Sequence, residues 1–260
     1  MFAPTFADLA PGDGKSATLA LAEFEIWRIR SADDPHFPAA YAALWEEFGK
    51  RHEMEAREVV ARRFASPAMV YEMVLVTKHG RLAAVRDHTA ISLSGETVVH
   101  LSHNLVAPEF RRTGLAGWMR AFPIATAREL PRDSPITLVA ELAHADTGEL
   151  ESIWRMRAYA RGGFRCIDPR VVRYHQPDFR AAGEIDATGS ARPLPMQLCV
   201  RLVGREDART IPGQRVRQIV EALYTIYRAD FRAADMMHPA LSLADYPTDD
   251  AEIALLPLSP

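Results

Sequence analysis

The segment Arg111-Arg112-Thr113-Gly114-Leu115-Ala116 sets two cations and a glycine where a β-favouring run gives way to a helical one. Upstream, Val98, Val99, Leu101, Leu105 and Val106 read as a strand, which Pro108 ends by removing a backbone donor. Downstream, Leu115, Trp118, Met119, Phe122 and Leu130 recur at helical spacing. The first N–H groups of a helix have no intrahelical partner and lie at the positive end of its dipole, so such a turn suits a diphosphate. Gly114 lets the backbone approach that anion, and the arginines add charge or simply face solvent. On the strand, alternation sets His100, Ser102 and Asn104 on one face and Leu101, His103 and Leu105 on the other. His100 is suited to accept a proton near neutral pH, or is a hydrogen-bonded histidine beside the core. His100 and His103 have H-x-x-H spacing, but opposite faces of a strand exclude a shared metal ion.

Pro108 to Ala116 resembles the acyl-CoA turn of the GNAT superfamily of N-acetyltransferases, whose pattern is Arg or Gln, two residues, Gly, one residue, then Gly or Ala. Arg111, Gly114 and Ala116 fill it. Ala158 to Phe164 is similar to the family's Y-x-x-x-G-F signature, and it follows a strand (Pro135 to Leu142) and a helix (Glu149 to Arg161) in the family's order. The resemblance runs from about Glu23 to Gly204. It implies an α/β (α+β) fold: a mixed, splayed central sheet flanked by helices, here with a C-terminal helical extension. It implies acetyl-CoA as co-substrate and no metal, with the cofactor held by Leu105, Val106, Arg111, Arg112, Thr113, Gly114, Leu115 and Ala116. A backbone N–H near Val106 would polarise the thioester carbonyl. Tyr159 matches the family's general acid for the leaving thiolate, or packs as an aromatic on its helix. His100, eleven positions before Arg111, stands at an offset the family uses for a catalytic base. Glu141, near the end of the partner strand, is the other candidate base if a half-buried cleft raises its pKa; otherwise it pairs with an arginine. The family often has Asn seven residues before the Tyr, to bond the pantetheine arm. Here Ser152 stands there and offers one such bond.

The expected activity is transfer of an acetyl group from acetyl-CoA to a primary amine, on a small molecule or a protein, without a covalent enzyme intermediate. A non-catalytic acyl-CoA-binding module would keep the phosphate turn without needing His100, Glu141 or Tyr159. An interaction protein would use the C-terminal helix as a partner surface, and the chain is expected to be a monomer or homodimer.

These residues sit in a chain of 260 with 48% hydrophobic and 25% charged residues, enough for a sizeable core. A net charge of −3 argues against a nucleic-acid-binding surface. No apolar run is long enough for a membrane span, and no secretory signal is visible, so a cytoplasmic setting is expected. Cys166 and Cys199 have no metal-type spacing and read as small buried hydrophobes on strands.

Three segments are expected. Residues 1–22 read as a flexible arm. Its Gly12-Asp13-Gly14-Lys15-Ser16 lacks the earlier glycine and preceding strand of a phosphate-binding loop and carries no nucleotide role. Residues 23–204 form the acyltransferase domain. It has a strand over Glu23 to Arg30, helix over Pro38 to Phe64, strands over Tyr71 to Lys78 and Leu82 to Leu93, and last strands over Val171 to His175 and Met196 to Val203. Pro123 is expected to kink the helix that follows the turn, and Gln176 to Pro195 is a long loop that either drapes over the substrate side or is a surface excursion without a role. Residues 205–260 form the extension: an amphipathic helix from Gly213 to Ala234 and a Pro-rich tail lying on the surface.

Overall fold

Alternating apolar residues on both faces of the central strands make a sheet that must be covered twice. In the computed structural model, which describes residues 3–51, 53–93, 95–130, 134–144 and 150–258 (the side chains of 150–152 apart), that sheet has eleven strands. The strands are β1 (Glu25–Ile29), β2 (Val70–Lys78), β3 (Arg81–Leu93), β4 (Glu96–His100), β5 (Asn104–Val106), β6 (Ile136–Leu142), β7 (Arg165–Ile167), β8 (Tyr174–Gln176), β9 (Leu194–Leu202), β10 (Thr210–Pro212) and β11 (Glu252–Pro257). Their order is β1-β2-β3-β4-β6-β9-β7-β11-β10, with β5 on β3 and β8 on β9. The helices are α1 (Gly14–Ala17), α2 (Phe37–Phe48), α3 (Arg57–Arg63), α4 (Leu115–Ala127), α5 (Leu150–Arg161), α6 (Ala182–Thr188), α7 (Gly213–Arg228) and α8 (Ala233–Met236).

The expected splay is present. β4 and β6 pair in parallel from Thr97 with Ile136 to His100 with Val139, and Leu101 N–H closes the run on Val139 O at 2.8 Å. Beyond it β5 bonds only β3, while β6 bonds β9 on its far side. The two chains therefore part after His100.

The central strand is not continuous as expected. Thr89 faces His100, yet Arg86 faces Asn104, so three residues of one strand oppose two of the other. This is a bulge, and it shifts the alternation by one. His100 and His103 therefore do not lie on opposite faces; both line one small cavity. Both His103 nitrogens are bonded within the protein, Nδ1 to Asp87 Oδ1 at 2.9 Å and Nε2 to Glu53 O at 2.7 Å.

One face of the sheet carries Ala90, Val99, Leu138 and Ala140, which pack beneath α4 and α5. The other carries Ile91, Val98, Val139 and Val200, and α7 covers it with Val216, Ile219, Val220, Leu223, Ile226 and Tyr227, all without exposure. Each such aliphatic side chain is worth roughly 1.5–3 kcal/mol relative to an exposed one. The C-terminal helix thus packs on the sheet as part of the main core. The tail after it does not lie on the surface as expected: β11 pairs with β7 and β10. A chain ended at Gly204 would leave the face under α7 bare.

Pro123 lies inside α4 and has no N–H for the carbonyl of Met119, four residues back. Buried Arg86 supplies the missing donor, with Nη1 to Met119 O at 2.6 Å. Cys166 and Cys199 are distant in sequence but face each other across β7 and β9, both as free buried thiols.

The expected loose arm is packed. Asp8, Ala10 and Ser16 are buried. Arg128 pairs with Asp8, Arg120 with Asp13, and Trp118 Nε1 donates to Ser16 O at 2.8 Å. Its apolar residues follow no period, so periodicity gave no sign of its packing; ion pairs to Arg120 and Arg128 help hold it. Among the described residues no helix is long and apolar enough to cross a membrane.

Candidate active site

His100 and Glu141 meet where the strands part. In the parallel register His100 lies beside Val139, and Glu141 is two residues on, so both side chains take the α7 face. His100 Nε2 lies 2.9 Å from Glu141 Oε2. The carboxylate also accepts from Tyr174 OH, from Tyr227 OH at 2.5 Å and from Gln176 Nε2 at 3.1 Å. Burial by itself would raise the Glu141 pKa, but His100 and the two tyrosine hydroxyls outweigh it and hold the carboxyl below its ordinary value. This reverses the expected rise. An ionised Glu141 only accepts, so the neutral His100 ring carries its proton on Nε2. Its lone pair is then on Nδ1, which faces Ser102 Oγ at 3.4 Å.

Tyr174, Gln176 and Tyr227 are the parts of this cluster that sequence reasoning missed. Tyr227 belongs to the apolar stripe of α7, and its one signal is a polar tip among aliphatic neighbours. Gln176 begins the segment expected to be a loop, which in fact holds the short helix α6.

Beside this pair, in the opening between the parted strands, is a cleft of about 350 Å³, lined by Arg86, Asn104, Val106, Arg120, Glu141 and Tyr159 among others. Tyr159 packs edge-to-face on Phe164, ring centroids 4.9 Å apart, and stands in the cleft wall. Ala107 N–H bonds Ala83 O on β3. Successive N–H groups of a strand alternate in direction, so those of Asn104 and Val106 point to the open edge. Leu105 lies between them with its side chain against the α2 core.

At the head of α4, Gly114 is the N-cap with φ +105°, and Arg112 before it has φ +63°. Arg111 Nε donates to Val106 O at 3.1 Å, and Thr113 Oγ1 donates to Phe110 O at 2.7 Å. Leu115 turns its side chain into the core and offers backbone only. Ala116 borders both the cleft and a second cavity of about 450 Å³, which Lys15, Arg112, Arg120 and Arg161 also line. Gly162 is needed here: a Cβ on it would come 2.7 Å from Arg120 Nε. The Ser152 side chain lies outside the described residues.

The residues present fit an acyl-CoA. Arg86 Nε, Arg120 Nε and Asn104 Oδ1 are buried polar atoms without a hydrogen-bond partner among the described residues, and all three residues border the cleft. They match the amide groups of a pantetheine arm in kind. Four cations against Asp13 suit a diphosphate in the second cavity. Gly114 is a poor place to test this, because a Cβ there would come 2.5 Å from Lys15 O. Exposed Arg112 is better. Arg112→Glu is expected to weaken CoA binding roughly tenfold or more by charge reversal, with stability within about 0.5 kcal/mol of wild type. Calorimetry and denaturant unfolding check the two; unchanged affinity would remove Arg112 from the site.

No family model matches the sequence, and no curated protein matches it. Among solved structures, the chain is similar to an N-acetylglutamate synthase from Neisseria gonorrhoeae complexed with coenzyme A and N-acetyl-glutamate. The identity is 14% and the TM-score 0.41, over 70% of this chain and 36% of that one. It is similar to a tandem GNAT protein from the clavulanic acid biosynthesis pathway at 20% identity and TM-score 0.42, over 60% of this chain and 47% of that one. It is also similar to an acetyltransferase from Streptococcus agalactiae at 11% identity and TM-score 0.40, over 69% of this chain and 98% of that one. The chain thus spans well under two thirds of the length of the first two.

Proposed function

We propose that the protein is an acyl-CoA-dependent N-acyltransferase that moves an acetyl group from acetyl-CoA directly to a primary amine. The observation that carries this reading is the His100–Glu141 pair at the parting of β4 and β6, with Glu141 in the lining of both a cleft and a small cavity. Acetyl-CoA supplies the acetyl thioester. The chain's own residues supply the rest. His100 Nδ1 takes the proton that the amine must lose, directly or through one water. Glu141 holds the ring's Nε2–H and, staying ionised, stabilises the imidazolium that forms. The two candidate bases thus act as one unit in different roles. The Val106 N–H donates toward the carbonyl oxygen where negative charge develops. Tyr159, in the cleft wall, gives a proton to the departing thiolate.

Tyr159→Phe is expected to lower turnover roughly 10²-fold, the lower end of general acid–base effects, while leaving acetyl-CoA affinity unchanged. The thiolate's charge develops only in the transition state, so the loss belongs in kcat. Wild-type turnover in this variant would reduce Tyr159 to packing on Phe164.

The reading itself is tested by thiol release from acetyl-CoA with and without a panel of primary amines. Release that requires an amine, with amide product by mass, is the expected result. Binding without release under every condition would favour an acyl-CoA-sensing module.

A further inference from the structure

The cavities form a line through the molecule. The one beside Gly114 shares Ala116 and Arg120 with the cleft. The cleft shares Ser102, His103 and Glu141 with a cavity of about 40 Å³ at His100. That small cavity shares Glu55 and Phe179 with an outer one of about 450 Å³, between α2–α3 on one side and α6–α8 on the other. The outer cavity has the size of a small-molecule site.

We propose, resting on the transferase reading above, that this outer cavity binds the acceptor. The acceptor is a small primary amine whose ammonium sits on a slim, unbranched arm attached to an aromatic or aliphatic body, with no carboxylate beside the amine.

Charge selects the ammonium. Glu55 and Asp230 share one guanidinium, that of Arg63, so the floor has two acids for one base. Glu55 is only 5% exposed, and its Oε2 has no hydrogen-bond partner. A buried carboxylate oxygen left so is costly until a donor reaches it. Glu55 stands in the wall common to the outer and inner cavities, so a cationic head passing toward His100 meets it. The arginines on the opposite rim do not cancel this. Arg180 is held by Asp178, and Arg232 by Asp186 and Asp235.

Shape selects the arm. The inner cavity holds little more than one water, whose share of liquid volume is about 30 Å³. A methylene carrying an amine enters such a space, and a carbon bearing a further substituent does not. The outer walls select the body: Trp45, Met54, Phe179, Ile185 and Phe231 are apolar. An α-amino acid is disfavoured twice, because it branches beside the amine and brings its carboxylate against Glu55 and Glu141.

Phenethylamine carries the proposed features, and phenylalanine differs from it by the carboxylate alone. Calorimetry should show saturable binding of phenethylamine and none of phenylalanine. Glu55→Gln keeps an acceptor for Arg63 and should weaken phenethylamine roughly tenfold or more, with acetyl-CoA binding unchanged. Phe231→Ala, which leaves the Glu55–Arg63 pair intact, should weaken it several-fold. Initial rates with acetyl-CoA then separate the two readings. Phenethylamine that binds but is never acetylated refutes the transferase and keeps the amine site. Acetylation of phenylalanine, or of a lysine side chain in a peptide, without phenethylamine binding refutes the amine class and keeps the transferase. Absence of any phenethylamine binding, or no response to either substitution, overturns the inference.

Discussion

His100→Gln is expected to lower turnover by roughly 10²–10⁴, the range for removal of one general base, and to abolish the acid limb of the pH–rate profile. The limb arises because a protonated ring cannot take the amine's proton, so wild-type turnover should climb with pH and then level. Glutamine keeps some hydrogen bonding to Glu141 but has no titratable nitrogen. Glu141→Gln is the parallel measurement. Its carboxamide still orients the ring without stabilising the imidazolium, so the limb should remain at reduced turnover. Should the limb survive in the His100 variant and vanish in the Glu141 one, the proton goes to Glu141. If it survives in both, the amine reaches the site already neutral, and no dedicated side-chain base operates.

The second large effect is on stability. The Nδ1 and Nε2 of His103 both face acceptors, the Asp87 carboxylate and the Glu53 carbonyl, so the folded ring is an imidazolium. Burial alone would lower its pKa, but Asp87 outweighs it and raises the value to about 9. Asp87 goes the other way: burial opposes its charge, yet His103, Arg63 and the Tyr71 hydroxyl hold it well below the usual carboxylate range. A histidine raised from about 6.5 when unfolded contributes stability that is complete below pH ~6.5 and disappears as pH rises through about 9. Asp87 contributes stability present above about pH 4 and lost as pH falls below it. Denaturant unfolding across pH should therefore show a plateau between about 4 and 6.5 and an alkaline decline of roughly 3 kcal/mol from His103. Asp87→Asn leaves the buried imidazolium without its counter-charge. It should cost roughly 3 kcal/mol or more near pH 6 and remove most of the alkaline decline. Wild-type stability with an unchanged alkaline slope would show that the pair contributes nothing.

Gly114 at the head of an apolar-striped helix was visible in the sequence, because a left-handed N-cap needs glycine and a helix needs its stripe. The splay of β4 from β6 followed from the GNAT resemblance, and the hydrogen bonds bear it out. The bulge over 101–103 was not visible, since one extra residue changes the faces of a strand without changing its composition. The meeting of His100 with Glu141 depends on the register of two parallel strands separated by a helix, which no local pattern states. Tyr227 comes from an amphipathic helix of the C-terminal extension. Amphipathicity says that a helix has a face to bury, not which sheet buries it. The N-terminal segment was misjudged because Asp8, Asp13 and Ser16 are held by Arg128, Arg120 and Gly114 far along the chain.

The central claim is that the parted strands and the turn at Gly114 form one acyl-CoA site. A calorimetric titration of acetyl-CoA into the wild-type protein tests it most directly. The expected result is saturable one-to-one binding that weakens with added salt, because the diphosphate cavity is lined by exposed as well as buried cations. No heat of binding at millimolar acetyl-CoA, from a protein shown to be folded by its unfolding transition, would contradict it.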